Sequence, residues 1–213
     1  MTDAATAAYG MVAFDIETTG LDPSKCRITA ACLYGAMDGL RPGQRVIRSA
    51  DTPGTHVVKT FVFNTDSTDA HETEAREEFM AHLDSARSLC AFNGIRFDIP
   101  FIQQAWDVPA ARVQGWITKT FDVYEACKLG ISATFSLDRL LAANNLESKT
   151  GSGLHAIHLA KSGQWEALGE YCMQDTRMTY LVSSQCVISL PLHTVRGKRV
   201  FIDRSSSGLF VLW

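Results

Sequence analysis

The stretch Gly10-Met11-Val12-Ala13-Phe14-Asp15-Ile16-Glu17-Thr18-Thr19-Gly20-Leu21-Asp22 constrains this chain more than any other. It opens as an apolar run and is stopped by Thr18-Thr19-Gly20 and then Asp22-Pro23, which reads as a strand entering a turn. Successive side chains of a strand point to opposite faces. Val12, Phe14 and Ile16 therefore share one face, and Ala13, Asp15 and Glu17 the other. Two carboxylates near the end of a buried strand repel each other and lose water, which is costly unless a cation sits between them. A divalent metal, with its taste for hard carboxylate oxygens, answers that need. The plain alternative is an acidic strand end fraying into a loop, since Asp-x-Glu is common.

The chain continues as strands and then as strands alternating with helices, the pattern of an α/β fold with a mixed five-stranded sheet. Arg27 to Gly35 reads as a second strand, with Ile28, Ala30, Cys32 and Tyr34 alternating, and Val57 to Phe63 as a third. Between them, residues 36–55 are rich in Gly, Pro, Arg and Asp and read as an excursion or short hairpin. Asp69 with Glu72 marks a helix start, and Ala75, Phe79 and Leu83 give that helix an apolar stripe. Ser88 to Phe92 is a buried strand ended by Asn93-Gly94, after which Phe97-Asp98 opens a helix that stops near Pro109. A fifth strand is expected over Thr118 to Val123, then helices at 123–129, 136–144 and 154–161, the last preceded by a Gly-Ser-Gly joint at 151–153. A long helix follows from Trp165 to about Val187. The tail from 188 to 213 carries a basic turn within Val195 to Val200 and an apolar end. It is expected to form a short β extension packed on a domain spanning 10–187, with 1–9 as a disordered lead-in.

Composition narrows the classes. At 213 residues and 46% hydrophobic, the chain suits one globular domain with a substantial core. No apolar run approaches the roughly 20 residues that span a bilayer, and the N-terminus lacks the pattern of a signal peptide. The 6 cysteines are scattered without a Cys-x-x-Cys pair, which predicts buried thiols in a reducing, intracellular compartment, cytoplasmic or nucleoid/nuclear. A net charge of −3 argues against a broad basic nucleic-acid surface, although bound divalent ions would supply local positive charge.

Two further acidic positions complete a pattern. Asp98 follows a strand and an Asn-Gly turn and begins a helix. Asp175 stands four residues after Tyr171 on the last helix, so the two project from one face. That face also bears Leu168 and Val182, so Asp175 interrupts an apolar stripe, and such breaks concentrate at functional sites. Taken singly, each has an ordinary explanation: Asp98 a helix cap, Tyr171 a core tyrosine, Asp175 a solvated residue. Jointly they are harder to obtain by accident.

The joint pattern resembles the DEDD 3′–5′ exonucleases, a proofreading-type group with a ribonuclease H-like fold. Phe14-Asp15-Ile16-Glu17-Thr18-Thr19-Gly20-Leu21-Asp22 is similar to their first motif. Phe92-Asn93-Gly94-Ile95-Arg96-Phe97-Asp98-Ile99-Pro100-Phe101-Ile102 is similar to the second, in the form found in family B DNA polymerases and their free-standing relatives. Tyr171-Cys172-Met173-Gln174-Asp175-Thr176 resembles the third in its tyrosine subtype; the histidine subtype places its base where this chain has Glu170. The resemblance covers roughly residues 10–187, and the remainder offers no room for polymerase palm or fingers.

The resemblance implies a hydrolase using two divalent cations, Mg²⁺ or Mn²⁺, and releasing nucleoside 5′-monophosphates from the 3′ end of single-stranded DNA, as in proofreading or DNA repair. Carried onto this chain, Asp15 touches both ions, Glu17 and Asp175 complete the first, and Asp98 holds the second. Tyr171 orients the attacking water with Glu17 on its other side. The segment Thr18 to Leu21 meets the terminal nucleotide, with Leu21 as a wedge, while Asn93 and Phe97 line the pocket. RNA is the rival substrate, a non-catalytic nucleic-acid-binding module the rival class, and replication or repair proteins the expected partners. His155 and His158, three apart on one helix face, suggest either a metal pair or a surface and packing role; the missing third ligand favours the second.

Overall fold

The computed structural model of the chain describes residues 9–37, 46–47, 56–64, 69–129, 133–147, 153–185, 187–190, 199–202 and 209–212. The lead-in at 1–8, the joint at 151–152, Cys186 and the basic turn at 195–198 lie outside the described residues, as does most of the excursion at 36–55.

The apolar strand that opens the sequence is β1 (Tyr9–Thr18), and it lies inside the sheet. On one side β2 (Ile28–Met37) runs antiparallel to it, and β4 (His56–Val62) runs antiparallel to β2. On the other side β5 (Ala86–Ala91) runs parallel to β1, and β6 (Thr120–Asp122) parallel to β5. These are the five expected strands, in the order β4-β2-β1-β5-β6. A two-residue strand from the excursion, β3 (Val46–Ile47), extends the sheet beyond β4.

The two faces of the sheet are covered differently. Val12, Phe14 and Ile16 pack with α1 (Asp69–Ser85), α2 (Asp98–Ala105) and α3 (Ala110–Thr118) through Phe79, Leu83, Phe101, Ile102 and Trp116. Ala13, Ala30 and Cys32 are the small residues of the other face, which carries α7 (Trp165–Ser183) with α6 (Gly153–Lys161) beside it. Gly169 brings α7 close, since a Cβ there would stand 3.0 Å from Thr60 Cγ2 and 3.3 Å from Val62 Cγ2. At the far end, α4 (Val123–Lys128) and α5 (Leu137–Ala143) pack with Met178 and Val182 of α7.

Helix α3 occupies a stretch for which sequence periodicity assigns no element. Gly115, with nothing within 4 Å of where its Cβ would be, weakens the local helical signal. Tertiary contacts restore it: Trp116 is buried and its Nε1 donates to Asp84 at 2.7 Å. The last helix is shorter than expected, ending at Ser183 rather than near Val187. The Ser184 hydroxyl folds back onto the Tyr180 carbonyl, and the chain then turns so that Ile188 enters the cluster around Val182. Val187–Ser189 is strand β7, pinned where Asn144 accepts from Ser189 N–H at 2.7 Å and donates to its carbonyl at 3.0 Å. It pairs antiparallel with β8 (Arg199–Ile202), which pairs with β9 (Leu209–Leu212), forming a second, three-stranded sheet at the C-terminus.

The described cysteines are all free thiols, with Cys32, Cys90, Cys127 and Cys172 buried and Cys26 half-buried. Among the described residues no helix is long and apolar enough to cross a membrane.

Candidate active site

Strand β1 places the first two carboxylates by alternation alone: Asp15 and Glu17 project toward α7, opposite Phe14 and Ile16. The ladder to β2 slips where they stand. Glu17 faces Ala30 but Thr18 faces Ile28, and the extra residue, Thr29, donates its hydroxyl to the Glu17 carbonyl at 3.1 Å. Such irregularities re-aim side chains beside functional sites. Asp15 and Glu17 each present a carboxylate oxygen, and Cys172 its sulfur, within 4.8 Å of one another.

Asp98 arrives from the other side of β1. Pairing between β1 and β5 stops at Ala13, leaving a later N–H on that edge to find a different acceptor. Asp98 supplies it, its Oδ1 accepting from Ile16 N–H at 3.0 Å. The helix-cap explanation therefore gives way: α2 is preceded by Phe97, makes no side-chain cap bond, and Asp98 is tied to the central strand. The approach depends on the turn before it. Asn93 sits at φ 64°, and a Cβ on Gly94 would come within 2.5 Å of Ala91 Cβ. Burial pushes the Asp98 carboxyl up to about 7; the Ile16 N–H opposes the shift and the charge of Asp122 adds to it.

Helix α7 completes the cleft. Tyr171 and Asp175 project together, and with Asp15, Glu17, Asp98, Asn93 and Phe97 they line a space of about 250 Å³. Beneath them the Cys172 thiol donates to the Asp15 carbonyl at 3.7 Å and approaches its Oδ2 at 3.9 Å. Burial, Cys32 and the Asp15 and Glu17 charges hold that thiol well above its ordinary pKa, so it stays protonated.

Thr18 and Leu21 do not line this space. Thr18 is buried with its hydroxyl on the Gly20 carbonyl at 2.7 Å, and Leu21 stands 81% exposed on the turn beyond β1. His155 and His158 are exposed, and neither belongs to a metal-capable group among the described residues. His155 packs edge-on to Tyr171 with ring centroids 5.8 Å apart.

Other residues at the site escape a reading by motif. Phe92, Ser136, Leu137 and Thr179 also line the cleft. Thr179 could have been found four positions beyond Asp175 on the same helix face, whereas Ser136 carries only the signature of a helix start. Asp122, buried at the end of β6, accepts through Oδ1 from Asn93 N–H at 2.9 Å, Tyr124 N–H at 3.0 Å and Glu125 N–H at 3.2 Å. Its Oδ2 accepts from Ile95 N–H at 3.0 Å. Burial raises its pKa, partly opposed by these N–H groups. Its signal was the Asp-x-x-Glu pattern of residues 122–125 before a helix.

Four carboxylates converging on one cleft form a donor set of hard oxygens, which suits a divalent cation of the Mg²⁺ or Mn²⁺ type. A family model for the RNase H superfamily matches residues 12–186. The chain belongs to the RNase H superfamily. For an RNase H superfamily member, the central β1 and its acidic end lie where the matched region begins. No curated protein sequence matches the chain. Among solved structures, it is similar to the family B DNA polymerase from the hyperthermophilic archaeon Pyrobaculum calidifontis, at 15% identity and a TM-score of 0.52 over 80% of this chain. The match spans 23% of that polymerase, and the likeness is one of fold. A structure described as the apo form of a nuclease shares 18% identity over 84% of this chain and 78% of its own, with a TM-score of 0.49.

Proposed function

We propose that this chain is a divalent-metal-dependent 3′–5′ exonuclease of the tyrosine-type DEDD group, removing nucleoside 5′-monophosphates from the 3′ end of single-stranded DNA. The observation that carries the reading is the meeting of Asp15, Glu17, Asp98, Asp175 and Tyr171, drawn from three distant segments, in one cleft of an RNase H superfamily chain. The catalytic unit is residues 10–187, with 188–213 appended to it.

Asp15, Glu17 and Asp175 would hold one ion, and Asp98 a second shared with Asp15. When bound, the ions supply Lewis acidity that lowers the pKa of the attacking water and neutralises charge on the leaving 3′ oxygen. Tyr171 holds that water in line with its hydroxyl, while Glu17 accepts from it on the other side. In this reading Tyr171 positions the water and takes no proton from it. Asn93 and Phe97 face the terminal nucleotide. Leu21, exposed on the turn after β1, is available to wedge against the next base, and an apolar wedge makes no hydrogen bond to a base edge and so carries no sequence preference.

The test is a set of 5′- and 3′-labelled DNA and RNA strands, single and duplex, with Mg²⁺, Mn²⁺ or chelator. A 5′-labelled single strand should shorten as a ladder, and chelator should stop it. Cleavage of a circular single strand would sink the exonuclease reading. Equal or faster trimming of RNA would move the substrate to RNA, and inertness with every metal would leave a binding module.

A further inference from the structure

We infer that Asp122 is a positioning residue for this cleft, a clamp that sets the turn carrying Asp98 against the central strand; the inference rests on the reading of the four-carboxylate site given above. Asp122 is 4% exposed, and a buried carboxylate is costly unless hydrogen-bonded. It meets four backbone N–H groups from two directions. Those of Tyr124 and Glu125 are the orphan donors of the first turn of α4, and capping them needs only Oδ1. Those of Asn93 and Ile95 belong to the turn between β5 and α2, 29 and 27 residues away, and Oδ2 is committed to that turn alone. An ordinary helix cap does not use its carboxylate this way.

The turn needs holding. Asn93 sits at φ 64°, a region most side chains avoid. Its carbonyl accepts from Phe97 N–H at 3.0 Å and the Gly94 carbonyl from Ile99 N–H at 2.9 Å, so the turn runs rigidly into α2. Asp98, at the first position of α2, reaches Ile16 N–H, between the two carboxylates of β1. A displacement of Asn93 and Ile95 is thereby passed to Asp98 and to the strand bearing Asp15 and Glu17. A side-chain amide cannot replace the clamp, because its NH₂ would face an N–H that needs an acceptor.

The full chain is compared as native protein, Asp122→Asn and Asp122→Ser, with Asp84→Asn as a control that disturbs a carboxylate bonded to Trp116 on the other face of the sheet. Serine is a good helix cap but too short to reach Asn93 and Ile95, so Asp122→Ser keeps the cap and removes the clamp. Three quantities are read: Mn²⁺ affinity from the paramagnetic resonance of the free ion, the Mn²⁺ concentration giving half-maximal turnover, and the amide resonances of Asn93, Ile95 and Ile16. Both Asp122 variants should bind Mn²⁺ about 10–100-fold more weakly, the scale for losing a residue that orients metal ligands. They should need correspondingly more Mn²⁺ for turnover, and their Ile16 amide should move. Asp84→Asn should change the melting temperature and none of these. If Asp122→Ser binds Mn²⁺ like the native protein and leaves the Ile16 amide in place, Asp122 is only a cap and the inference falls. If the native protein itself neither binds Mn²⁺ nor cleaves, the four-carboxylate reading fails and takes this inference with it, a result distinct from an active native protein with equally active variants.

Discussion

Strand β1 turns Val12, Phe14 and Ile16 toward hydrocarbon, and Asp15 and Glu17 toward a helix that carries a tyrosine, a thiol and another carboxylate. On the first face Phe79 meets Phe61 and Trp106 edge-on at 5.7 and 5.9 Å, and Phe63 meets Trp106 at 5.5 Å. Burial of this apolar surface stabilises the folded state. On the second face small residues let α7 descend until Cys172 touches the Asp15 carbonyl. Several carboxylates are thus gathered in one cleft, and their mutual repulsion is expected to work against the metal-free fold. One alternating strand therefore separates an apolar face that packs the core from a face on which carboxylates converge. Substitutions on the two sides should act on different observables.

The sharpest way to break that comparison is Asp175→Asn, which keeps the shape of the side chain and removes its charge. Turnover should fall at least about 10³-fold, given the several kcal/mol that metal-centred charge stabilisation supplies. In chelator the same variant should melt a few degrees higher, because a repulsive charge is gone, at about 1 kcal/mol. Saturating Mn²⁺ should raise its melting temperature less than that of the native protein. A variant that melts lower in chelator and responds to Mn²⁺ as the native protein does would make Asp175 structural.

The opposite face supplies the mirror experiment. Phe79 is wholly buried, and Phe79→Ala should cost about 3–5 kcal/mol of stability. Assayed at a temperature where the variant is folded, as checked by circular dichroism, its turnover should stay within a few-fold of native. A collapse of turnover in the folded variant would mean that the two faces are coupled.

Tyr171→Phe sharpens the division within the active face. A water-positioning hydroxyl should be worth about 10²-fold in turnover, the lower end for groups that assist proton transfer. Mn²⁺ uptake should be unchanged, since the phenol lies outside the proposed ligand set. Full activity in the variant would remove Tyr171 from the mechanism.

The gentlest probe is pH. Asp98 has a folded pKa raised to about 7 from 3.8, so the folded state holds its proton where the unfolded chain has lost it. Its contribution to stability is complete below pH 4 and is lost as pH rises through about 7. In chelator, the melting temperature of native protein minus that of Asp98→Asn should fall between pH 5 and pH 8. A difference that rises with pH would mean that Asp98 is stabilised as the anion.

Much of this was legible in the residues. Period-2 alternation placed Asp15 and Glu17 opposite Phe14, period-3.6 spacing placed Tyr171 with Asp175, and Asn93-Gly94 announced the turn that aims Asp98. All three depend on neighbours within four positions, where sequence and geometry are coupled by fixed rise and twist. What tertiary structure decided involves groups far apart in the chain. The Asp98 carboxylate meets Ile16 N–H across 82 residues, and the Cys172 thiol meets the Asp15 carbonyl across 157. Helix α3 stands despite Gly115 because Trp116 has a core to fill, and α7 stops at Ser183 because Ile188 has a cluster to join. Asp122 could be read as a cap from Asp-x-x-Glu, but its grip on Asn93 and Ile95 exists only once β5 and β6 lie side by side. Periodicity fixes which way a side chain points along its own element; which donor waits there is settled only when distant segments pack together.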